Sequence, residues 1–583
     1  MYLCSMLPTS RKELKHLGID RLDIILFSGD AYVDHPSFGA AIIGRILQAE
    51  GYLVAIVPQP NWRDDLRDFK KLGEPRLFFG VTSGNMDSMV NHYTAAKRLR
   101  SNDAYTADSR SDMRPDYAVT VYTHILKKLY PNTPVVLGGI EASLRRLTHY
   151  DYWSDTLTPS VLVASGADYL VYGMGERAVV ELARKISSGA TQEEIRLTPQ
   201  IAYLAKSVRE IPDCGSSNGQ AWLQLPSHKA CKTNKRVFAE HFRVFEEQAN
   251  APSPPVLVEP LDKAEGPAVV VNPLFPLMTQ AQLDSIYDLP FTYKAHPRYK
   301  GKRIPALEMI RFSICLHRGC FGGCSFCTIA AHQGRQITWR SQASVLKETA
   351  ALSALEEWKG HITDLGGPTA NMYAMQGKDL NLCRVCTRTS CLFPRICKNL
   401  DTSHKPLLEL YKTVRESAGV KKVTIGSGIR YDLFLDAHGF LNKEGEQYFR
   451  ELLRYHVSGR LKVAPEHTED HVLNHMHKPS FALYRTLRRA FLKEVKKEGY
   501  RWQLIPYFIS SHPGCTRQDM YSLAKKFKKD GIWVEQVQDF TPTPMTKSSV
   551  MFYTGLVPET GKRVFAEQNL QKKALQKESF FLK

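Results

Sequence analysis

From about residue 305 onward, short apolar runs alternate with amphipathic stretches, and few folds accept that rhythm. Parallel strands cannot be joined by a tight turn; each needs a crossover of a dozen or more residues, which a helix supplies. Six runs read as strands: 311–315, 362–365, 422–425, 460–464, 503–510 and 533–539. Between them the spacing predicts helices over 344–359, 406–417, 444–455, 481–498 and 517–530. Gly360, Gly419, Gly499 and Gly531 follow four of these, as left-handed C-caps favour. In the fourth helix Leu483, Leu487, Phe491 and Val495 form an apolar stripe that packs on a sheet. Such βα folds place ligands at the carboxyl ends of their strands.

The first strand runs into the most informative loop of the chain. Cys320, Cys324 and Cys327 are spaced C-x3-C-x2-C among Gly319, Gly322 and Gly323. Thiolates select zinc or iron-sulfur clusters, and structural sites are closed by four protein ligands. Three sulfurs therefore leave one coordination position for a non-protein ligand. Cys315, inside the strand, reads as packing. A second group, Cys383, Cys386, Cys391 and Cys397, supplies four cysteines in fifteen residues. That number suits a closed zinc site or an auxiliary iron-sulfur cluster, and the residues alone do not separate the two.

Roughly the first 190 residues also alternate, with strands at 22–27, 53–57, 77–81, 135–137 and 169–172 and helices that include 39–50 and 176–186. This is a doubly wound α/β pattern. The domains expected are 1–204, an α/β domain; 205–304, a connector containing Asp213 to Gly219 and the proline-rich Ala251 to Pro255; 305–575, the barrel; and 576–583, a tail. The fold class is thus α/β, a doubly wound domain followed by a partial (β/α)6 barrel.

Twelve cysteines and an N-terminal run with neither a charged region nor an apolar core point to a reducing, cytoplasmic setting. No apolar run is long enough for a bilayer, so no membrane partner is expected. Lysine and arginine number 78 against 59 acids, a net charge of +19, which makes RNA a candidate substrate or ligand. Much of this excess, as in Arg485 to Arg489 and Lys525 to Lys529, recurs at the spacing of solvated helix faces.

The runs Cys320 to Ala330, Gly366 to Tyr373, Cys383 to Cys391, Val463 to His467 and Thr541 to Pro544 resemble the YgiQ family of radical SAM proteins over nearly the whole chain. The resemblance implies that Cys320, Cys324 and Cys327 hold three irons of a [4Fe-4S] cluster. S-adenosylmethionine (SAM) would chelate the fourth iron and be cleaved by one electron to a 5′-deoxyadenosyl radical. It also implies a one-electron reductant of flavodoxin or ferredoxin type, and a role for Phe326 beside the third cysteine. Gly366 and Gly367 match the family's Gly-Gly-Glu motif, with Pro368 in place of the acid. Ser427, Arg430 and Glu466, after the third and fourth strands, are candidates for ribose or carboxylate contacts, and His467 for proton transfer. Cys515, after the fifth strand, is the catalytic candidate to mutate first, although no catalytic residue is assigned. The N-terminal domain resembles a cobalamin-binding-type domain, with Val136 to Glu141 and Tyr172 to Glu176 matching best. The Asp-x-His-x-x-Gly motif is absent, however: Asp34 and His35 have the wrong spacing before Gly39, and cobalamin is not expected. His35 reads as a turn residue, with Ser37 capping the next helix.

Overall fold

A computed structural model of the chain describes residues 6–211, 222–249, 251, 253–532, 534 and 537–581. The N-terminal part is built on a nine-stranded sheet: β1 (Ile24–Ser28), β2 (Val54–Pro58), β3 (Phe78–Thr82), β4 (Val135–Leu137), β5 (Tyr169–Val171), β6 (Ile201–Ala205), β7 (Trp222–Gln224), β8 (Val256–Pro260) and β9 (Ala268–Val271). Their order is β7-β8-β9-β6-β5-β4-β3-β1-β2. The five strands from β2 to β5 in that order are parallel, as the helical crossovers require. β1 and β2 are buried at every residue. Successive side chains go to opposite faces, Ile24 and Leu26 into one core and Ile25 and Phe27 into another, so both faces of the sheet are covered.

Two segments depart from the sequence reading. The segment 205–304 contributes β7, β8 and β9, which extend the sheet, β9 pairing antiparallel with β6 and β8, and β7 adding parallel to β8, together with a helix, Lys235–Ala249, on its face. It is part of the domain rather than a connector; strands of three to five residues beside prolines carry too little periodicity to be read. Asp213 to Gly219, Pro252 and Trp533 lie outside the described residues. The expected tail is likewise the end of a helix, Leu570–Phe581, in which Lys573 and Gln576 are buried. Lys573 donates to the Phe540 carbonyl at 2.9 Å, and Gln576 to the Cys515 carbonyl at 3.3 Å.

The barrel strands are β10 (Ser313–Cys315), β11 (His361–Ile362), β12 (Asp364–Gly366), β13 (Lys422–Val423), β14 (Arg460–Glu466), β15 (Gln503–Ser510) and β16 (Val537–Asp539). The second expected strand is divided at Thr363: its first half pairs with β13 and its second with β10. With β14-β15-β16, all pairings are parallel, giving two three-stranded arcs of an open barrel. The fourth and fifth expected helices occur at their predicted bounds and end in left-handed Gly499 and Gly531. The first is shorter, Gln342–Ser353, so Gly360 (φ 87) instead turns the chain into β11. The third passes at Leu452 into a π turn. Arg485 and Lys526 lie on helix faces, paired with Asp530 and Glu469. Ile314, Leu365, Val423 and Val463 share one continuous core with Ile24 and Leu26, so the sheet and the barrel are packed as one body. Among the described residues no helix is long and apolar enough to cross a membrane.

Candidate functional site

β10 delivers the chain to the three-cysteine loop at the carboxyl end of the barrel. His317–Arg318 pairs with Thr338–Trp339 and closes the base of the loop. Gly323 has φ 64, and a Cβ there would stand 2.5 Å from that of Ser390, so both backbone sign and space demand glycine. Cys320 Sγ hydrogen-bonds Thr369 Oγ1 at 3.4 Å, and Cys324 Sγ accepts from Arg430 Nη1 at 3.3 Å. Burial, then the neighbouring Cys324, pushes the Cys327 thiol up to about 12, and burial likewise raises Cys320. Buried thiols so close together ionise only when a cation is present; this donor set fits a metal cluster. Among the described residues no three His, Cys, Asp or Glu side chains are arranged to hold one metal ion. In a cubane each cysteine binds a different iron.

The other barrel loops meet this one, with changes of role. Gly367 leaves room for the His317 ring, which an added Cβ would meet at 2.5 Å; Gly366 leaves room for the Ser427 hydroxyl, at 2.8 Å. The Gly366 carbonyl accepts the Leu316 N–H at 2.7 Å. Ser427 Oγ donates to Asp364 at 2.5 Å, and the same carboxylate accepts the Gly426 and Ser427 N–H groups. Arg430 is not a free fork for a ligand carboxylate. Asp432 takes its Nε at 2.9 Å and Nη2 at 2.5 Å, leaving Nη1 for the cysteine sulfur. Glu466 ends β14 after a register shift and adopts φ 68, a conformation that costs a non-glycine residue about 1–3 kcal/mol and is found where a side chain must be aimed. Burial raises its carboxyl pKa, with Lys478 Nζ 3.9 Å away. Phe326 packs edge-on against His512, 6.0 Å between ring centres.

Two candidates are withdrawn from the site. Cys515 is fully buried; burial pushes its thiol up to about 12, so it is protonated and packs in the core. Its sulfur lies 3.5 Å from His467 Nε2. Burial lowers that histidine to about 4, and its Nδ1 accepts the Glu469 N–H, which removes it from proton transfer near neutrality. Cys315 packs as expected, its thiol donating to the His317 carbonyl at 3.2 Å. In the N-terminal domain, Asp34 is held by Arg45 at 2.5 Å and His35 Nδ1 accepts the Ser37 N–H. Both residues serve the fold; Phe38, not Ser37, is the helix N-cap.

The second cysteine group is stitched to the first. Ser390 Oγ bonds the Phe321 and Gly322 carbonyls at 3.3 and 2.8 Å, and Cys391 N–H reaches the Phe321 carbonyl at 3.1 Å. The Arg335 guanidinium lies near Cys386, Cys391 and Cys383, and Cys391 in turn lies near Cys397 and Cys386, so neighbouring thiols of the group share one part of the loop. Residues that sequence reasoning missed are Thr369, His317, Ser390 and Arg335. Thr369, His317 and Ser390 sit close in sequence to a cysteine or glycine of a recognised motif and Arg335 does not; all four have partners distant in sequence.

A chamber of about 560 Å³ opens beside the loop, with Cys324, Cys327, Cys383, Arg146, His332 and Lys547 in its wall. A crevice of about 510 Å³ runs along the carboxyl edge of the N-terminal sheet, past Thr82, Gly138, Glu176 and Arg318. The short helix Ile329–Gln333, which carries His332, separates them.

A family model described as Radical SAM N-terminal matches residues 6–313. A UPF0313 protein of Bacteroides thetaiotaomicron is 53% identical over 592 residues, covering 99% of this chain and 94% of that protein. One from Porphyromonas gingivalis is also 53% identical, over 99% of this chain and 90% of that protein. Among solved structures, the radical S-adenosylmethionine methyltransferase TsrM from Kitasatospora setae, with cobalamin and [4Fe-4S] cluster bound, is 16% identical at a TM-score of 0.47, over 90% of this chain and 76% of that chain.

Proposed function

This chain is a radical SAM enzyme of the YgiQ family, and from that premise we propose that Cys320, Cys324 and Cys327 hold its catalytic cluster and that its substrate gives up a hydrogen atom in the chamber beside them. The cluster and SAM together supply one-electron cleavage of the sulfonium to a 5′-deoxyadenosyl radical. The observation that carries this reading is the position of the three sulfurs: at the carboxyl end of the first barrel strand, with two of them in the chamber wall.

The remaining residues bind and orient. Gly366 and Gly367 let His317 and Ser427 close on the cofactor space. Thr369 and Arg430 fix the sulfurs of Cys320 and Cys324. Glu466, buried near Cys327, would accept ribose hydroxyls. Phe326 anchors the loop through its packing against the buried His512. Cys383, Cys386, Cys391 and Cys397 form a second site, for zinc or an auxiliary iron-sulfur cluster. An external one-electron donor of flavodoxin or ferredoxin type is required. Cobalamin is not assigned, since Asp34 and His35 serve the fold.

Anaerobic reconstitution with iron and sulfide, then dithionite and SAM, tests the reading. A cubane spectrum and 5′-deoxyadenosine are expected; a protein that forms the cluster without releasing 5′-deoxyadenosine would overturn it.

A further inference from the structure

Seven arginines are buried among the described residues. Six have a carboxylate partner: Arg45 with Asp34, Arg114 with Asp30 and Asp103, Arg145 with Asp87, Arg318 with Glu176, Arg340 with Glu348, and Arg430 with Asp432. Arg146 is 4% exposed and pairs with no carboxylate among the described residues. An uncompensated buried charge costs several kcal/mol, so a chain that consistently pairs its other buried guanidiniums has left this one open.

The setting of Arg146 is built. Its guanidinium lies 4.6 Å from the ring centre of Tyr172 and 5.1 Å from that of Phe245, and these aromatic faces hold its plane. Tyr172 is fixed in turn by its hydroxyl, which donates to the Asn272 carbonyl at 2.6 Å. One Arg146 nitrogen, Nη1, donates to the Ser143 carbonyl at 2.6 Å, while Nε is buried without a partner. The side chain lines the chamber that also contains Cys324 and Cys327. Lys547, in the same wall, is occupied by Glu246 and Glu559, and burial holds His332 neutral, with its pKa lowered to about 4. The chamber's volume falls within the range that holds small-molecule ligands.

We propose that the substrate is a small molecule carrying a carboxylate or phosphate and that Arg146 anchors this oxyanion in the chamber, with the site of hydrogen loss facing Cys324 and Cys327. This rests on the radical reading above for what happens to the substrate, though not for the binding itself. A planar guanidinium with open N–H groups matches either oxyanion.

The test uses the full, cluster-loaded chain under anaerobic conditions, with thermal unfolding followed at constant ionic strength in chloride, inorganic phosphate or acetate. Saturable protection by phosphate, acetate or both is expected, and the better probe tells which oxyanion the substrate carries. Arg146→Gln should weaken that binding about 10- to 100-fold, the loss of a charge-assisted hydrogen bond. Arg146→Lys should keep part of it, and the exposed Arg63→Gln all of it. Should Arg146→Gln not fold, Arg146→Lys still decides, because a merely structural cation would leave anion affinity unchanged. Absence of saturable protection in the wild type, equal protection in the Arg146 variants, or loss of protection when SAM saturates the protein would overturn the proposal. The last result would assign Arg146 to the cofactor's own carboxylate. Anion protection without 5′-deoxyadenosine would sink the radical reading alone, and 5′-deoxyadenosine without protection would sink the anchor alone.

Discussion

The two cysteine loops differ in what supports them. The three sulfurs of the first sit where barrel strands converge, and residues from separate βα loops reach them: Thr369 to Cys320 and Arg430 to Cys324. The four of the second lie in a half-exposed excursion, flanked by the exposed Leu380, Leu382 and Val385, and are tied inward mainly by backbone and by Ser390. The three-thiol loop is thus held by residues from two other barrel loops, while the four-thiol loop is held locally. On the function proposed above, this would be the physical division between a centre that does chemistry and one that needs only to stay closed.

The sharpest way to break the comparison is to remove one thiol from each loop. Cys324→Ala should reduce 5′-deoxyadenosine formation to background and abolish the spectrum of the SAM-responsive cluster. Cys391→Ala should lower total metal, by about four irons if the second site holds a cubane or by zinc if it does not, yet preserve SAM cleavage. Loss of cleavage in Cys391→Ala would mean that the loops form one functional unit.

Next in size is Gly367→Ala. The new Cβ would sit 2.5 Å from the His317 ring, whose two nitrogens are buried and unpartnered among the described residues. Displacing the ring costs about 1–3 kcal/mol, and SAM affinity should fall about tenfold by equilibrium dialysis, with the second site's metal content unchanged.

These predictions divide along what was legible. The six barrel strands, the first cysteine loop and the C-caps Gly499 and Gly531 follow from local pattern, because period, spacing and glycine chirality are written within a few residues. The sheet-extending strands of 205–304 are not local: Trp222–Gln224 becomes a strand only because Val256–Pro260 lies beside it. The roles of charged residues were least legible. Arg145 and Arg146 are adjacent and identical in type, and tertiary contact alone gives the first Asp87 and leaves the second open. Arg430 read as a ligand-binding fork because its partner, Asp432, looks like any loop acid until the chain folds.

Arg430 also marks a smaller difference between the loops. Its N–H···S bond to Cys324 should stabilise the more negative, reduced cluster. Arg430→Met combined with Asp432→Asn avoids leaving either charge buried alone. This pair should make the first cluster's potential more negative by about 60 mV for each ~1.4 kcal/mol of differential bonding lost. Potentiometric titration monitored by electron paramagnetic resonance reads it, and an unchanged potential would reduce Arg430 to a packing role. The second site's signal should not move.

The smallest expected effect bears on the seam between the loops. Ser390→Ala removes donation to the Phe321 and Gly322 carbonyls and leaves the Leu392 and Phe393 N–H groups without the hydroxyl they use. The buried groups cost about 1–3 kcal/mol in all, a fall of a few degrees in Tm. Small beside the cysteine variants, this effect asks a different question. Combined with Cys391→Ala in a double-mutant cycle on Tm, additive losses mean that Ser390 only packs the seam. A coupling above about 0.5 kcal/mol means that it transmits the closure of the second site to the loop bearing Cys320. The geometry favours coupling, because Ser390 and Cys391 are consecutive and both grip the Phe321 carbonyl. Neither group can therefore shift without the other while that carbonyl stays in place.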